Sequence, residues 1–460
     1  MLPCRFYAST VAALVALALP VVGRAETIQL VEGESMQPAA LPLREAISIA
    51  LERQPRAAIA QAQQTVAKEQ VTQAKAKFLP TVTPQATLRD ERQTLGGDSV
   101  LVSPGGRSVT AQGARTSVVL SQTLLDAGQR GAAKDQAMSN LASATAALDD
   151  TQQAIVLDVT LAFYEVLRNR DLIKVSQSGV DRAATVLALT QGQIDAGTLP
   201  RKDSFQARAD LANAQLALRQ SQDRARTALI QLRTAMGVAP GTSIDPAPIS
   251  AGDGMPTIPT DTKFPPLETY FNIAQGSRPD LRQRAADTDA AKAAAQAAKI
   301  GSGVQVGATY QYAYTPTSAF HDTGVDSLLL VSATYPLFDG GAARSAVRSA
   351  NAQVTGARAQ TDATLLAIAS DVEQSYIQRE QAIEEARLAQ VAVDAAQVNY
   401  DAITEARREG IGNVVDIAQA QLTLTQAQSQ YVSAVYNYFE AHARLHRAAG
   451  INVGAPPVGM

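Results

Sequence analysis

An internal repeat constrains this chain more than any other feature of its sequence. The motif Gly197–Asp203 recurs as Gly410–Asp416, and all corresponding positions of the two motifs differ in number by the same offset. The same offset relates Leu124–Gly128 to Leu337–Gly341. In both copies a long helical pattern breaks at a glycine, and an aspartate six positions later opens a second helical pattern. Because a fixed offset of this kind indicates a duplicated unit, the two halves are predicted to share one fold.

Upstream of these motifs the offset between the copies changes. Ile49–Pro55 matches Ile273–Pro279 at a larger offset than the one that relates the later motifs. The first copy has therefore gained a short insertion between its opening helix and its Asp-Ala-Gly turn. A two-fold repeat with long helices favours one elongated body over two or three domains of ordinary size.

The N-terminus has the pattern of a secretory signal. Arg5 supplies positive charge, residues 11–22 are apolar, and the small residues Gly23 and Ala25 occupy the two positions that a signal peptidase reads. We therefore predict a signal peptide over residues 1–25, with a membrane anchor as the alternative.

The single cysteine, Cys4, would leave with this segment, so neither disulfides nor thiolate metal sites are expected. No other stretch has the ~18 apolar residues of a membrane-spanning helix, so any membrane-embedded part would have to be β-structure.

The charge balance disfavours one class of partner. The net charge is −3 and the isoelectric point is about 5.8. A nucleic-acid-binding protein needs a basic patch or stripe, so no nucleic acid is expected to bind. The chain also lacks tryptophan and has few other aromatic residues, a composition that suits close helix–helix packing.

Each copy contains a stretch in which polar and apolar residues alternate. These stretches, about 79–125 and about 302–338, predict two β-hairpins. The polar segments 90–114 and 315–325 are predicted to be the loops between their strands. Strands of about ten residues with one apolar face suit a membrane barrel, although a soluble β-domain has the same alternation. The very long flanking helices would leave such a domain nothing to pack against, which favours the barrel.

Three tyrosines in the second hairpin have two interpretations. They lie among the apolar positions of the alternating pattern, where aromatic residues form a girdle at the membrane surface or fill a protein core. They are Tyr310, Tyr312 and Tyr335.

Proline-free stretches predict two very long helices. They cover 128–196 and 341–409, and each would extend about 100 Å if helical throughout. The returning helices 203–237 and 416–449 have small or apolar residues at alternating steps of four and three, which implies left-handed supercoiling against a neighbour. These seam positions are Ala207, Leu211, Ala214, Leu218, Ser221, Ala225, Ala228, Leu232 and Ala235, then Ala420, Leu424, Ala427, Tyr431, Ala434, Tyr438, Ala441, Leu445 and Ala448.

These patterns divide the chain into six predicted segments. Each repeat consists of a helix, a β-hairpin, a long helix, a short turn that we name the tip turn, and a returning helix. The tip turns are 197–203 and 410–416. The six segments are the signal peptide 1–25, an extended segment 26–42, the first repeat 43–237, a linker 238–266 rich in Pro, Gly, Asp and Thr, the second repeat 267–450, and a tail 451–460.

Four strands cannot close a barrel by themselves. In lipid, the unpaired backbone groups of an open sheet edge each cost several kcal/mol. The chain is therefore expected to oligomerise. Three copies would supply 12 strands, which lies within the range of outer-membrane barrels.

In this order and in duplicate, the motifs resemble those of the TolC-type outer-membrane factor family. Members of that family are the trimeric exit ducts of Gram-negative efflux pumps and type I secretion systems. The resemblance covers essentially the whole mature chain. It is carried by Thr123–Gly128 and Tyr335–Gly341 at the strand-to-helix transitions, by the two tip turns, and by the returning helices rich in Ala and Gln.

The resemblance implies an α+β membrane protein with an internal two-fold repeat. Its fold would be a trimeric duct, in which four strands per chain form a 12-stranded outer-membrane β-barrel continuous with a long periplasmic α-helical coiled-coil barrel. The implied function is that of a passive gated channel from an inner-membrane transporter of RND or ABC type, through a periplasmic adaptor (membrane fusion protein), to the outside. Its implied partners are two further copies of the chain, the transporter, the adaptor and outer-membrane lipid. Small-molecule efflux is favoured as the commoner role in the family, and type I protein secretion is the alternative.

The resemblance also assigns roles to the tip turns. Asp416 lies where relatives place an acidic ring that lines the aperture, and a second acid found one turn later in some relatives is replaced by Gln419. Some relatives are held closed by a tyrosine and an arginine that flank the second tip turn. This chain has Arg407 and Gly412 at those places, so the closing contacts of those relatives cannot be transferred to it. The residues implied to meet the adaptor are Gly197, Thr198, Leu199, Gly410, Ile411 and Gly412.

We therefore predict a different set of gate contacts. Asp203 and Asp416 are expected to pair with nearby basic residues, and Glu405 is a further acid in reach. As helix N-terminal acids, both aspartates are favourable through capping and the helix dipole whether or not they form a gate. The candidate bases are Arg201, Lys202, Arg407 and Arg408.

Two other functional classes are disfavoured. His442 and His446 have a spacing that can bind a metal, but no glutamate follows His442, and His321 in a predicted loop supplies no clear third ligand. We interpret the helical pair as part of a solvated face near the helix end. No phosphate loop, nucleophile elbow or carboxylate dyad is present, so we expect no catalysis and no cofactor. A periplasmic coiled-coil adaptor would explain the signal and the seams, but the duplicated strands argue against it.

Overall fold

The computed structural model of the chain describes most of both repeats. The predicted signal peptide, the extended segment before residue 40 and the tail after residue 451 lie outside the described residues. The described ranges are 40–95, 107–197, 199–249, 257–258, 264–315, 324–409 and 414–451.

The two repeats contain the same elements in the same order. The first has α1 (Leu43–Arg53), α2 (Pro55–Ala76), β1 (Thr81–Leu95), β2 (Arg107–Leu125), α3 (Gln129–Asp195) and α4 (Lys202–Met236). The second has α5 (Leu267–Ser277), α6 (Pro279–Ile300), β3 (Gln305–Thr315), β4 (Gly324–Thr334), α7 (Ala342–Arg408) and α8 (Val414–Ala448). None of these helices, within the described ranges, is both long and apolar enough to cross a bilayer.

The opening helix of each repeat is broken in two by a proline. The sequence pattern predicts one helix from Leu43 to Phe78, and this prediction is wrong because the chain is extended at Gln54. A residue before proline is disfavoured in the helical region, whereas proline is well suited to the first helical position. Pro55 therefore begins α2, and Pro279 begins α6 in the same way.

The two long helices begin with the same aspartate motif. Asp126 accepts hydrogen bonds from the N–H groups of Gly128 and Arg130, and Asp339 accepts them from Gly341 and Ala343. These bonds satisfy amide groups that have no partner inside the first turn of a helix. From there α3 and α7 each continue for 67 residues.

The returning helices bury their predicted seams. All nine seam positions of α8 are buried, and those of α4 are buried or half-buried. Both helices end at a glycine with positive φ, Gly237 at 68° and Gly450 at 69°. A Cβ on Gly237 would lie 2.9 Å from the backbone of Arg53 and Gln54, so the helix end fits closely against the break between α1 and α2.

The strands form one antiparallel sheet in the order β1-β2-β3-β4. Direct partners share a face, and pairs such as Val118 with Tyr312 and Tyr310 with Leu329 form an apolar face. On this face Tyr310 and Tyr312 are 41% and 47% exposed, so they are not core residues of the chain. The opposite face is mainly Thr, Ser and Gln. Pro84 lies in β1, an edge strand, where a missing N–H is tolerated.

The first hairpin is longer than its sequence pattern predicts. Segment 90–114 was expected to be a loop, but β1 and β2 remain paired up to Leu95 and Arg107. Polar residues occupy both sets of alternating positions here, so the alternation that reveals a half-buried strand is absent. The insertion in the first copy therefore extends the hairpin.

The largest apolar core joins the two repeats. It contains Ala46 and Ala50 of α1, Val159 and Phe163 from the middle of α3, and Val435 with other residues of α8. Part of the predicted linker packs beside it, because Leu41 exchanges backbone hydrogen bonds with Asp245 and Ala247 at 2.7 and 2.8 Å. This core fixes α3 against α8.

Candidate gate at the tip turns

The first tip turn is described except for Thr198. Gly197 has a φ of 77°, and its N–H donates to the carbonyl of Ile194 at 2.9 Å. Leu199 is half-buried, whereas Arg201 and Lys202 are exposed. The helix α4 begins at Lys202, so Asp203 lies in its first turn.

Much of the second tip turn lies outside the described residues. These residues include Gly410, Ile411 and Gly412, and the side chain of Arg408. The helix α8 begins at Val414, so Asp416 lies in its first turn, and Gln419 follows about one turn later. Both Asp416 and Gln419 are exposed.

Both aspartates therefore occupy the helix position at which a negative charge is favourable. The N-terminal N–H groups and the helix dipole give this position a positive potential. Within the described residues, neither Asp203 nor Asp416 forms an ion pair. Their predicted pairing with basic residues remains a prediction.

One contact links the ends of the two long helices. The Arg407 guanidinium donates to the side-chain oxygen of Gln193 at 2.6 Å, and both residues are half-buried. Arg407 was a candidate gate residue, but Gln193 was not. No sequence signal identifies this glutamine, because the contact depends on how α3 and α7 meet in the fold.

A second polar junction holds α3 to α8 below the tips. Arg182 donates to the Thr425 hydroxyl at 3.0 Å and to Gln428 at 3.3 Å, and Gln421 donates to the carbonyl of Gly179 at 2.9 Å. Burial lowers the pKa of Arg182 from its ordinary value, but an arginine remains charged in proteins. These bonds connect the first repeat to the second near the predicted gate.

The prediction that His442 and His446 form a solvated face is wrong. Both ring nitrogens of His442 are buried without a hydrogen-bond partner, and the two rings lie 4.2 Å apart. Phe264 and Arg379 cover this side of α8, and burial, the neighbouring His446 and Arg379 lower the pKa of His442 to about 4. No group of metal-binding side chains occurs among the described residues, which do not include His321.

A sequence model of one protein family matches both repeats. The family is described as "Outer membrane efflux protein", and the match covers residues 46–238 and 271–451, one segment for each repeat. The chain belongs to the outer membrane efflux protein family. This is a family of outer-membrane channels, and the resemblance to the TolC type is confirmed. The protein is located in the outer membrane and extends into the periplasm.

Individual relatives agree with the family match. Protein CyaE of Bordetella pertussis is 26% identical over 402 residues, which cover 85% of this chain and 80% of that protein. Outer membrane protein TolC of Escherichia coli is 23% identical, with 65% of this chain and 62% of TolC covered. The crystal structure of the outer membrane protein VceC of Vibrio cholerae superposes with a TM-score of 0.74 at 19% identity and covers 89% of this chain and 96% of VceC. This likeness shows a shared fold.

Proposed function

We propose that the chain is the outer-membrane exit duct of a tripartite small-molecule efflux system and works as a homotrimer. The observation that carries the proposal is the sheet, in which β1 and β4 are open edges within the described part of the chain. Its apolar face is exposed as well, with Leu88 at 75% and Leu329 at 68%. An edge and an apolar face of this kind fit closure by further copies inside a lipid bilayer.

The repeat supplies the pairing expected between copies. Within the chain, β2 of the first repeat pairs with β3 of the second, and the counterpart of this contact is β4 with β1 of a neighbouring copy. The pairs Val118–Tyr312 and Leu120–Tyr310 become Val331–Leu88 and Ala333–Ala86. Such a contact joins two different surfaces, so it repeats around a ring, and three copies give 12 strands.

The tip turns form the gate of the proposed duct. The in-chain contact between Arg407 and Gln193 holds the second tip to α3. Asp203 and Asp416, with the bases Arg201, Lys202 and Arg408, supply contacts between copies. The glycine-containing turns receive a periplasmic adaptor, and an inner-membrane transporter of RND or ABC type supplies the energy and selects the cargo.

The first experiment measures assembly and conductance together. The variant Ala86→Cys/Ala333→Cys should form disulfide-linked trimers on a non-reducing gel, whereas the single variants should not.

In planar bilayers the wild type should give small, cation-sensitive currents. Arg407→Ala should raise the conductance several-fold, and Arg358→Ala, an exposed arginine elsewhere on α7, should leave it unchanged. A protein that stays monomeric and never inserts into the bilayer would overturn the proposal of a duct.

A second experiment separates efflux from protein secretion. Deleting the gene in its native host should increase sensitivity to small toxic compounds and leave the set of secreted proteins unchanged. Loss of a secreted protein with unchanged sensitivity would instead assign the duct to type I secretion.

A further inference from the structure

Four helices meet one end of the sheet. The helices α2 and α6 end there, and α3 and α7 begin there, because each of them connects directly to a strand. The strand pairs Thr81–Ser121 and Gln305–Thr334 lie at this level. We name this region the junction, and it includes the residues of each helix within about 10 Å of the sheet. It consists of residues 70–80, 126–135, 294–304 and 335–348.

The junction is positively charged in a chain that is negative overall. It contains seven lysine or arginine residues and three aspartates, whereas the whole chain has a net charge of −3. Two of the aspartates, Asp126 and Asp339, accept hydrogen bonds from N–H groups at the starts of α3 and α7. Arg130 donates to Asp126 and lies over the ring of Phe78. The other six basic side chains form no ion pair within the part of the chain that the structure describes. They are Lys75, Lys77, Lys134, Lys299, Arg344 and Arg348.

Exposed apolar side chains lie beside these charges. Leu337 and Phe338 are 91% and 89% exposed, more than any other large apolar side chain among the described residues. They lie between the end of β4 and the start of α7. If the sheet crosses the hydrocarbon layer of a bilayer, this level coincides with the lipid headgroups. An apolar side chain at that depth reaches the acyl chains, while the long side chains of lysine and arginine place their charges among the headgroups.

The two repeats use their basic residues at the junction differently. In the first repeat Arg130 is bound within the chain, and its counterpart in the second repeat is Ala343. The arginine pair of α7 has no basic counterpart in α3, where Gly131 and Asp135 occupy the equivalent positions. Both arginines of this pair are exposed. The second repeat therefore has unpaired guanidinium groups on the helix turns that follow its most exposed apolar side chains.

We propose that the junction binds the anionic headgroups of phospholipids in the periplasmic leaflet of the outer membrane. Arg344 and Arg348 contact the phosphate, since a guanidinium can donate two parallel hydrogen bonds to it. Leu337 and Phe338 enter the acyl region beside it. A headgroup with a net negative charge, such as phosphatidylglycerol, fits better than phosphatidylcholine, whose ammonium group would face the positive charge of the junction. The inference rests on the proposed duct, because it requires the sheet to cross a bilayer.

Lipid retention by the purified protein tests the proposal. Native mass spectrometry in detergent counts the lipids held per chain after mixing with phosphatidylglycerol or with phosphatidylcholine of the same acyl chains. The wild type should retain several-fold more phosphatidylglycerol, and added salt should weaken this preference because exposed charges are screened. Arg344→Gln/Arg348→Gln should reduce the preference about fivefold. Arg344→Lys/Arg348→Lys should keep most of it, because the charge is retained.

A matched control removes the same number of charges outside the junction. Arg358→Gln/Arg387→Gln changes two exposed arginines further along α7 and should leave the preference unchanged. An equal loss in this control would show that net charge matters and the junction does not, which overturns the proposal.

Two further measurements distinguish a lipid from a free phosphate group. Leu337→Ser/Phe338→Ser should reduce the retention of both lipids and leave the preference for phosphatidylglycerol in place. Glycerol phosphate, which has no acyl chains, should not displace bound phosphatidylglycerol. Displacement at an equal concentration would make the junction a site for any phosphate and overturn the lipid assignment.

The outcomes separate this inference from the duct itself. A wild type that neither inserts into bilayers nor conducts overturns the duct and the inference together. A wild type that conducts but retains both lipids equally, or a glutamine double variant that matches it, overturns only the headgroup binding. Circular dichroism of each variant establishes that it is folded. If the double variant does not fold, Arg348→Gln compared with Arg358→Gln serves in its place, and equal preferences in these two variants overturn the proposal.

Discussion

The two repeats place opposite kinds of side chain at one buried position. Val166 in α3 and Arg379 in α7 occupy equivalent positions of the repeat and are 0% and 1% exposed. Val166 belongs to the same apolar core as Ala46 and Phe163. Arg379 lies against their counterparts Tyr270 and Tyr376. The same backbone site therefore accommodates an aliphatic side chain or a guanidinium, according to the side chains that surround it.

Aromatic rings make the charged version possible. The Arg379 Cζ atom lies 4.2 Å from the ring centre of Phe264 and 4.7 Å from that of Tyr376, and one terminal nitrogen donates to the Tyr270 hydroxyl at 3.1 Å. Its Nε atom has no hydrogen-bond partner. Attraction between the cation and the ring faces offsets part of the cost of removing the charge from water.

The largest effect on stability is expected when a buried arginine is introduced in the first repeat, where the aromatic rings around Arg379 have no equivalent. Val166→Arg buries a guanidinium with no counterion or aromatic cage and should cost about 3–5 kcal/mol of stability. Arg379→Leu removes charge and cage contacts together and should change stability by only about 1 kcal/mol, since apolar replacements of buried ionic groups are often neutral. Denaturant unfolding followed by circular dichroism compares them. If Val166→Arg costs no more than Arg379→Leu, the rings are not what makes Arg379 acceptable.

A somewhat smaller effect depends on pH. His442 corresponds to Leu229 of the first repeat, and its pKa of about 4 in the folded chain lies below the ordinary 6.5. The unfolded chain therefore takes up a proton first as the pH falls. The stability that depends on neutral His442 is complete above pH 6.5 and falls by about 3 kcal/mol as the pH approaches 4. Burial and Arg379 lower the pKa of His446 as well, so it acts in the same direction.

The variant His442→Leu isolates this contribution. Its thermal midpoint relative to the wild type should rise progressively between pH 7.5 and pH 4.5. A conservative change at an exposed site of the same helix, Gln419→Asn, should give a constant difference. A constant difference for His442→Leu would show that the imidazole is not kept neutral by its surroundings.

The smallest effect on stability is expected at the proline breaks. There the two repeats use different residues to hydrogen-bond the end of the returning helix. The returning helices end at carbonyls that accept hydrogen bonds from the residue before proline, Gln54 to Ala235 at 3.0 Å and Arg278 to Ala448 at 3.3 Å. Arg278 is 8% exposed and also binds Asp280. In the first repeat the arginine is displaced to the second position after the break, and Arg56 pairs with Asp158.

Removing each arginine should reveal the difference in burial. Arg278→Ala should cost about 2 kcal/mol, because it leaves buried acceptors without their charged donor. Arg56→Ala should cost about 0.5 kcal/mol, because its pair with Asp158 is half exposed to solvent. Chemical unfolding of both variants measures these costs. Equal costs would contradict the view that burial makes Arg278 the more stabilising of the two arginines.

Periodic sequence features could be predicted because each has a direct physical cause. The alternation of Val82 to Leu88 reflects a sheet with one apolar face, and the seam from Ala420 to Ala448 reflects a helix packed along one side. Duplication strengthened both signals, since each pattern occurs twice. The position of Asp203 and Asp416 near helix starts was predictable for the same reason.

Features that depend on contacts distant in sequence were not predictable. The apolar pattern continues through Gln54, so the break before Pro55 is invisible to periodicity. The polar extension of the first hairpin has no apolar face to reveal it. The burial of His442 depends on Phe264 and Arg379, which come from other segments. Likewise the contact of Arg407 with Gln193 exists only once the C-terminal ends of α3 and α7 come together in the fold.

Pro84 has a consequence for the chain before it reaches its final location. It occupies β1, an edge strand from which other extended chains could grow by adding a strand. Proline contributes no amide hydrogen, so one rung is missing wherever a foreign strand tries to add at that point. We therefore expect a newly exported copy to add foreign strands less readily at this edge while it crosses the periplasm.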